Sequence, residues 1–275
     1  MAISESKEHE MSSSTVLYEA LLGDLRAESE ELIGLISALD IDAMNFTTPA
    51  KGWNVADCIN HLTYFDGALM LAIQDREEFE VAKNKLMADG VDGATQQMRS
   101  LPHEVVVGSF VEARNSLLSL LTITSAKQRI PWYGPEMSAM SAASARLMET
   151  LAHGIDVYDA LGRAKVFTDR ISHICFLGFA TYAFSFTVHG LAAPSEEIYL
   201  HLELPSGQIY AKGDPASPNV VQGSAIDYVL LITQRRTRDN LNLEAKGKWA
   251  NDYLNIAQAF AGGPSIVDTD RAGLR

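Results

Sequence analysis

At 275 residues, with 47% hydrophobic and 21% charged side chains, the chain is long enough for two cores and has the composition of neither a disordered protein nor a membrane bundle. Its 35 acidic and 22 basic side chains leave a formal net charge of -13, which repels nucleic acid and anionic lipid, and apart from "QRRTR" at 234–238 no basic cluster opposes that field. Cys58 and Cys175, each in an apolar helical pattern, make neither a disulfide framework nor a zinc knuckle, so a reducing, cytoplasmic setting is expected.

The opening "MAISESKEHEMSSS" has no apolar core of a secretory signal, and residues 1–14 read as a flexible tail. Residues 15–39 carry Leu and Ile at helical spacing and stop before "TTPAKGW", where Pro49 and Gly52 break a helix. A second helix starts at "WNVADCINHL": Asn54 is a natural N-cap, Asp57 stands three residues on, and Trp53 with Cys58 occupies the hydrophobic-staple positions. Its apolar stripe is Val55, Ile59, Leu62, Phe65, Leu69 and Ile73, with His61 on the flank. Helical patterns over about 103–121 and 138–161 complete an up-and-down four-helix bundle spanning 15–166.

From 167 to 263 the texture changes to a smaller α/β (α+β) C-terminal domain. A helical stretch at 170–187 contains the longest uncharged run, which is too short for a bilayer and reads as a buried helix. The short alternating runs "EIYLHLEL", "QIYAKG" and "NVVQG" then read as strands between tight turns, and helical patterns return at 224–234 and 249–260. Residues 264–275 are expected to form a C-terminal tail.

The chemistry-bearing stretch is "RLMETLAHGIDVYDALG" at 146–162. At about 100° per residue, Glu149, His153 and Asp156 fall nearly opposite a stripe of Leu147, Leu151, Tyr158 and Leu161. That side is either the solvated face of an amphipathic helix or, because it also carries Ala142, Ala145, Ala152 and Ala160, a cavity face with inward ligands. Three nitrogen or oxygen ligands with an open fourth position are the arrangement of a catalytic zinc, and His61 is the candidate third ligand. Asp57 either orients the His61 ring or serves the helix cap. Cys58 reads as packing, and none of the remaining histidines forms a ligand pair.

"GWNVADCINHL" together with "ETLAHGIDVYDALG" resembles the mycothiol-dependent maleylpyruvate isomerase family, whose first domain is a DinB-like metal-binding four-helix bundle, over about residues 15–262. The sequence is more similar to an uncharacterised metal-binding branch than to the isomerase itself. The resemblance implies a divalent metal, usually zinc, on His61, Glu149 and His153, and a low-molecular-weight thiol, mycothiol or a relative of it. A metal-bound thiol loses its proton near neutral pH. In such an isomerase the thiolate adds to an activated double bond, rotation follows, and elimination returns the thiol; in a transferase the thiol stays attached.

The resemblance also implies an active-site arginine at Arg235, with Arg236 as the near alternative, to clamp a carboxylate of substrate or thiol; the other reading is a helix C-cap. In "PWYGPEM", Trp132 and Tyr133 either overhang the site and receive an apolar substrate or plug the loop. The leading expectation is thus a metal-dependent, thiol-using isomerase or transferase acting on a small organic molecule. Its rivals are a thiol-independent, metal-assisted isomerase or cyclase of a biosynthetic intermediate, and a non-catalytic carrier or sensor. A small-molecule substrate is the expected partner, with no nucleic acid and no membrane, and a homodimer is compatible with the reading.

Overall fold

The computed structural model describes residues 2–90 and 98–265, with side chains from residue 14 onward. The chain divides into two compact units, Met1–Arg163 and Ala164–Arg275.

The first unit is built on four long helices: α1 (Ala2–Ser37), α3 (Val55–Gln74), α5 (His103–Ile123) and α6 (Ala139–Ala160). Each of α1 and α3 packs against both α5 and α6, which makes a four-helix bundle. The backbone of residues 2–14, read from sequence as a tail, continues α1. No Gly or Pro interrupts that stretch, so nothing in it stops the helix. The start of α3 follows local chemistry: Asn54 Oδ1 accepts from Asp57 N at 2.8 Å and Asp57 Oδ2 accepts from Asn54 N at 2.9 Å, a closed capping box. Of its expected stripe all but Ile73 is buried, and Val55, Ile59 and Leu62 share a core cluster with Leu32, Ile36, Val106, Phe110 and Val157 of the neighbouring helices.

Two short helices lie outside the sequence reading, α2 (Ile41–Met44) and α4 (Arg76–Asp89). Only Phe79 and Leu86 of α4 are buried, so the segment carries no apolar stripe to recognise. A two-stranded ribbon, β1 (Arg129–Ile130) with β2 (Met137–Ser138), holds the base of the "PWYGPEM" loop.

A buried charge ties the bundle together. Arg114 of α5 donates from Nε to Asp66 Oδ2 at 2.6 Å on α3, from Nη1 to Thr150 Oγ1 at 2.9 Å on α6, and also to Ser29 Oγ on α1. One guanidinium therefore bonds to all three other helices, and both partners of the ion pair are shut off from water. By length and composition α5 could cross a membrane, but here its inward side buries Val106, Phe110, Leu117, Leu118 and Leu121 along with Arg114.

The second unit holds a four-stranded mixed sheet of β3 (Ile198–Glu203), β4 (Ile209–Lys212), β5 (Asn219–Ser224) and β6 (Leu243–Lys246), in the order β4-β3-β5-β6. Only the central pair, β3 with β5, is parallel. The edge strand β6 was not anticipated: Leu243 and Ala245 alternate with Glu244 and Lys246 over only four residues, and none of the four is fully buried. Where one buried helix was expected at 170–187, two helices, α7 (Ser172–Ala180) and α8 (Tyr182–Val188), bend by 52° at the break between them. Their inward residues Ile174, Cys175, Tyr182 and Phe186 are buried, while Phe176 is exposed. The remaining helices are α9 (Ala225–Ile232) and α10 (Lys248–Ile256). Gly178 lets α7 approach α9: a Cβ there would lie 2.6 Å from both Ile232 Cδ1 and Tyr228 Oη. Residues 266–275 of the expected C-terminal tail lie outside the described residues.

Candidate metal centre

Helix α6 is apolar or small on nearly every side, so it is enclosed where an amphipathic helix would be wetted. Ser138 caps its start by accepting from Ser141 N, and from Ala142 to Val157 only Ala145 and Glu149 are not fully buried. The solvated-face reading of Glu149, His153 and Asp156 is thereby overturned: Asp156 is 0% exposed, and the side chains of His153 and Glu149 are 9% and 21% exposed. Small residues on the same side of α6 leave room for imidazoles instead of lysines.

His61, from α3, completes a cluster. Its Nε2 lies 3.5 Å from Glu149 Oε2, and His153 Nε2 lies 3.4 Å from the same oxygen. The two imidazole centroids are 4.6 Å apart, and Trp53 covers both, tilted to His61 at 5.1 Å and stacked on His153 at 5.5 Å. Bonds of about 2.1 Å to a tetrahedral ion put neighbouring donors about 3.4 Å apart. The separations of the two nitrogens from the Glu149 oxygen therefore match the edges of such a coordination shell.

The other ring nitrogens are treated differently. His153 Nδ1 lies 3.2 Å from Asp156 Oδ2, so a proton on Nδ1 is directed at the carboxylate and Nε2 is turned toward Glu149. Cys58 is grouped with His153 and Asp156 on that side, close enough to share an ion. His61 Nδ1 meets no hydrogen-bond partner, and its ring is fixed by packing against Trp53 and Phe65. Asp57 does not orient it. That carboxylate serves the helix cap and receives Arg99 Nε at 2.9 Å, which settles the choice left open by the sequence.

Burial and hydrogen bonding set the metal-free charges. Burial pushes His61 down to about 4, with Glu149 opposing the shift and His153 reinforcing it. Burial would lower His153 too, but Asp156, Cys58 and Glu149 outweigh it and push the imidazole up to about 10. Burial would raise Glu149, yet His153, His61 and Arg146 hold its carboxyl well below the usual range. Without an ion the cluster is an ionised carboxylate between one neutral and one protonated imidazole.

These residues fall inside a recognised domain. The family model for the mycothiol maleylpyruvate isomerase N-terminal domain matches residues 25–158. Two uncharacterised proteins of Mycobacterium tuberculosis, from strains CDC 1551 / Oshkosh and ATCC 25618 / H37Rv, are each 37% identical to this chain over 246 residues, covering 88% of it and 96% of the relative. The chain belongs to the mycothiol-dependent maleylpyruvate isomerase family. Crystal structures of the mycothiol-dependent maleylpyruvate isomerase and of a histidine-to-alanine mutant share its fold, each with a TM-score of 0.59 over 82% of this chain and 92% of the other. Their sequence identity is 17% and 18%, so that likeness speaks for the fold alone.

Within this family member the other expected site residues are distributed unevenly. Trp132 stacks on Phe79 at 6.0 Å and Tyr133 meets Phe65 edge-on at 5.4 Å. Phe65 in turn lies 4.6 Å from His61, so the loop is one ring removed from the candidate ligands. Arg235 and Arg236 belong to the second unit, just past the end of α9. Gln234 takes a left-handed conformation (φ 58°) there, and Arg235 N closes the turn on Leu230 O at 2.8 Å. Arg236 Nη1 donates to Arg235 O at 2.8 Å, and both arginines are buried.

Sequence reasoning passed over Arg146, which is 3% exposed and stands three residues before Glu149, and over the Asp66–Arg114 pair. The only available signal was the R-x-x-E spacing, which ordinarily marks a surface ion pair.

Proposed function

We propose that this family member is a metal-dependent enzyme that uses a low-molecular-weight thiol, mycothiol or a close relative, in an isomerase or transferase reaction on a small organic molecule. His61, Glu149 and His153 would hold the ion, and their two nitrogens and one oxygen suit zinc. The observation that carries this reading is the pair of 3.4 and 3.5 Å separations around Glu149 Oε2, the first within α6 and the second reaching His61 on the distant helix α3.

The bound ion would supply acidity to a coordinated thiol, so that a thiolate nucleophile exists near neutral pH without a protein base. The remaining contributions come from the chain's own side chains. Asp156 directs the proton of His153 to Nδ1 and keeps Nε2 available. Burial keeps His61 in its neutral, ligating form. Phe65, with Trp132 and Tyr133 behind it, offers an apolar wall against which an activated double bond can lie away from water. Arg235, with Arg236 beside it, is proposed to clamp a carboxylate of substrate or thiol.

Elemental analysis of purified protein, followed by thiol titration with and without the metal, tests the reading. About one zinc per chain and metal-dependent thiol binding are expected. Metal without thiol affinity would leave a Lewis-acid isomerase or cyclase, and no metal at all would leave a carrier or sensor. His153→Ala is expected to abolish metal uptake; a fully loaded variant would remove this ligand set.

A further inference from the structure

Arg146 sits one turn before Glu149 on α6, with its guanidinium 3% exposed. It lies between two carboxylates and closes on neither: Nη1 is 3.8 Å from Asp66 Oδ1, and Nη2 is 4.0 Å from Glu149 Oε2. The enclosed Nη1 has no hydrogen-bond partner. Arg114, in the same core, approaches the same Asp66 to 2.6 Å and also donates to its second oxygen at 3.2 Å. Asp66 is thus committed to Arg114, and Glu149 Oε2 faces the two imidazoles. Were Arg146 only a counter-ion, it would be expected to close on a carboxylate as Arg114 does. A buried guanidinium nitrogen with no acceptor is costly, and the planar fork of donors matches a carboxylate in both shape and charge.

Its position has a direction. The guanidinium lies 5.9 Å from the centre of the Phe65 ring, whose other neighbour is His61 at 4.6 Å. Arg146, Phe65, His61 and Glu149 therefore border one site, and Glu149, at 21%, has the most exposed side chain among Arg146 and the three candidate ligands. We propose that Arg146 anchors a carboxylate subsite beside the candidate metal centre, so that a molecule taken there bears a carboxylate held next to the ion. This location rests on the metal reading above. The carboxylate could be carried by the substrate or by the thiol, and the test separates the two.

Zinc-loaded wild type, Arg146→Met and Arg146→Lys are titrated with 3-mercaptopropionate, with 2-mercaptoethanol, which lacks the carboxylate, and with maleate, which lacks the thiol. If the thiol carries the group, wild type binds 3-mercaptopropionate at least about tenfold more tightly than 2-mercaptoethanol, and Arg146→Met brings the two within about twofold. If the substrate carries it, maleate binding weakens about tenfold or more in Arg146→Met while the thiol ratio is unchanged. Arg146→Lys, which keeps charge but loses the fork, falls between, and it reads the same ratios should Arg146→Met not fold. Metal uptake with unchanged affinity for maleate and 3-mercaptopropionate in the variants overturns the proposal. Absence of metal in the wild type is a failure of the metal reading instead; maleate titration of the metal-free proteins then decides on Arg146, with equal affinity counting against it.

Discussion

Metal uptake should expel about one proton per ion at pH 7.5, and the site explains the number. A ligating imidazole must be neutral at the nitrogen that binds, so the count depends on how much proton each group carries beforehand. His153, pushed up to about 10, is almost fully protonated at that pH, whereas His61, pushed down to about 4, and the ionised Glu149 carry none. Two histidines at the ordinary value of about 6.5 would together release only about 0.2. Because the metal competes with a proton held on the folded state, affinity rises with pH. Across pH 6 to 8 the gain is about tenfold per unit, or about 100-fold in all. Calorimetry of zinc binding in two buffers of different ionisation enthalpy measures the released proton directly. Asp156→Asn should lower the release at pH 7.5 by returning His153 toward its ordinary range. A release near 0.2 in the wild type, or an unchanged release in Asp156→Asn, would refute the assignment of the proton to the His153–Asp156 pair.

Arg114→Met removes the hydrogen-bonded partner of the buried Asp66 carboxylate and leaves it only Arg146, 3.8 Å away, a loss of about 3 kcal/mol. Thermal or denaturant unfolding should show it as a fall in Tm of about 10 °C for a unit of this size; a shift under about 2 °C would mean that Arg146 or water takes the place of Arg114 at Asp66. Gly178→Ala drives a methyl group against Ile232 and Tyr228 and should destabilise the second unit by about 1–3 kcal/mol in the same assay. Its zinc content should not change, since the candidate ligands lie in the other unit.

What could be read along the chain was whatever is settled within a few residues. The α3 start was legible because Asn54 and Asp57 satisfy each other's backbone over one turn, and strand β3 because Ile198, Leu200 and Leu202 alternate with more exposed neighbours. Helix α4 and strand β6 were not, because α4 buries only Phe79 and Leu86 and the alternation of β6 runs over just four residues. Helical spacing put Glu149 and His153 on one face and made His61 the candidate third ligand, the family resemblance implied the same three, and spacing left the Glu149 face open between water and a cavity.

Only packing decided that face. Periodicity states the angle at which a side chain leaves its helix, and the burial of Asp156 follows from what the rest of the bundle sets against it. Asp57 shows the same limit, since its capping role was local but its bond to Arg99 was not. Arg114 and Arg146 are the extreme case. A charge on an apolar helix reads as a surface residue until the carboxylate that holds it, 48 positions away for Arg114, is brought alongside. Local sequence set the elements and their caps, whereas the charges inside the bundle depend on contacts between helices that no short stretch contains.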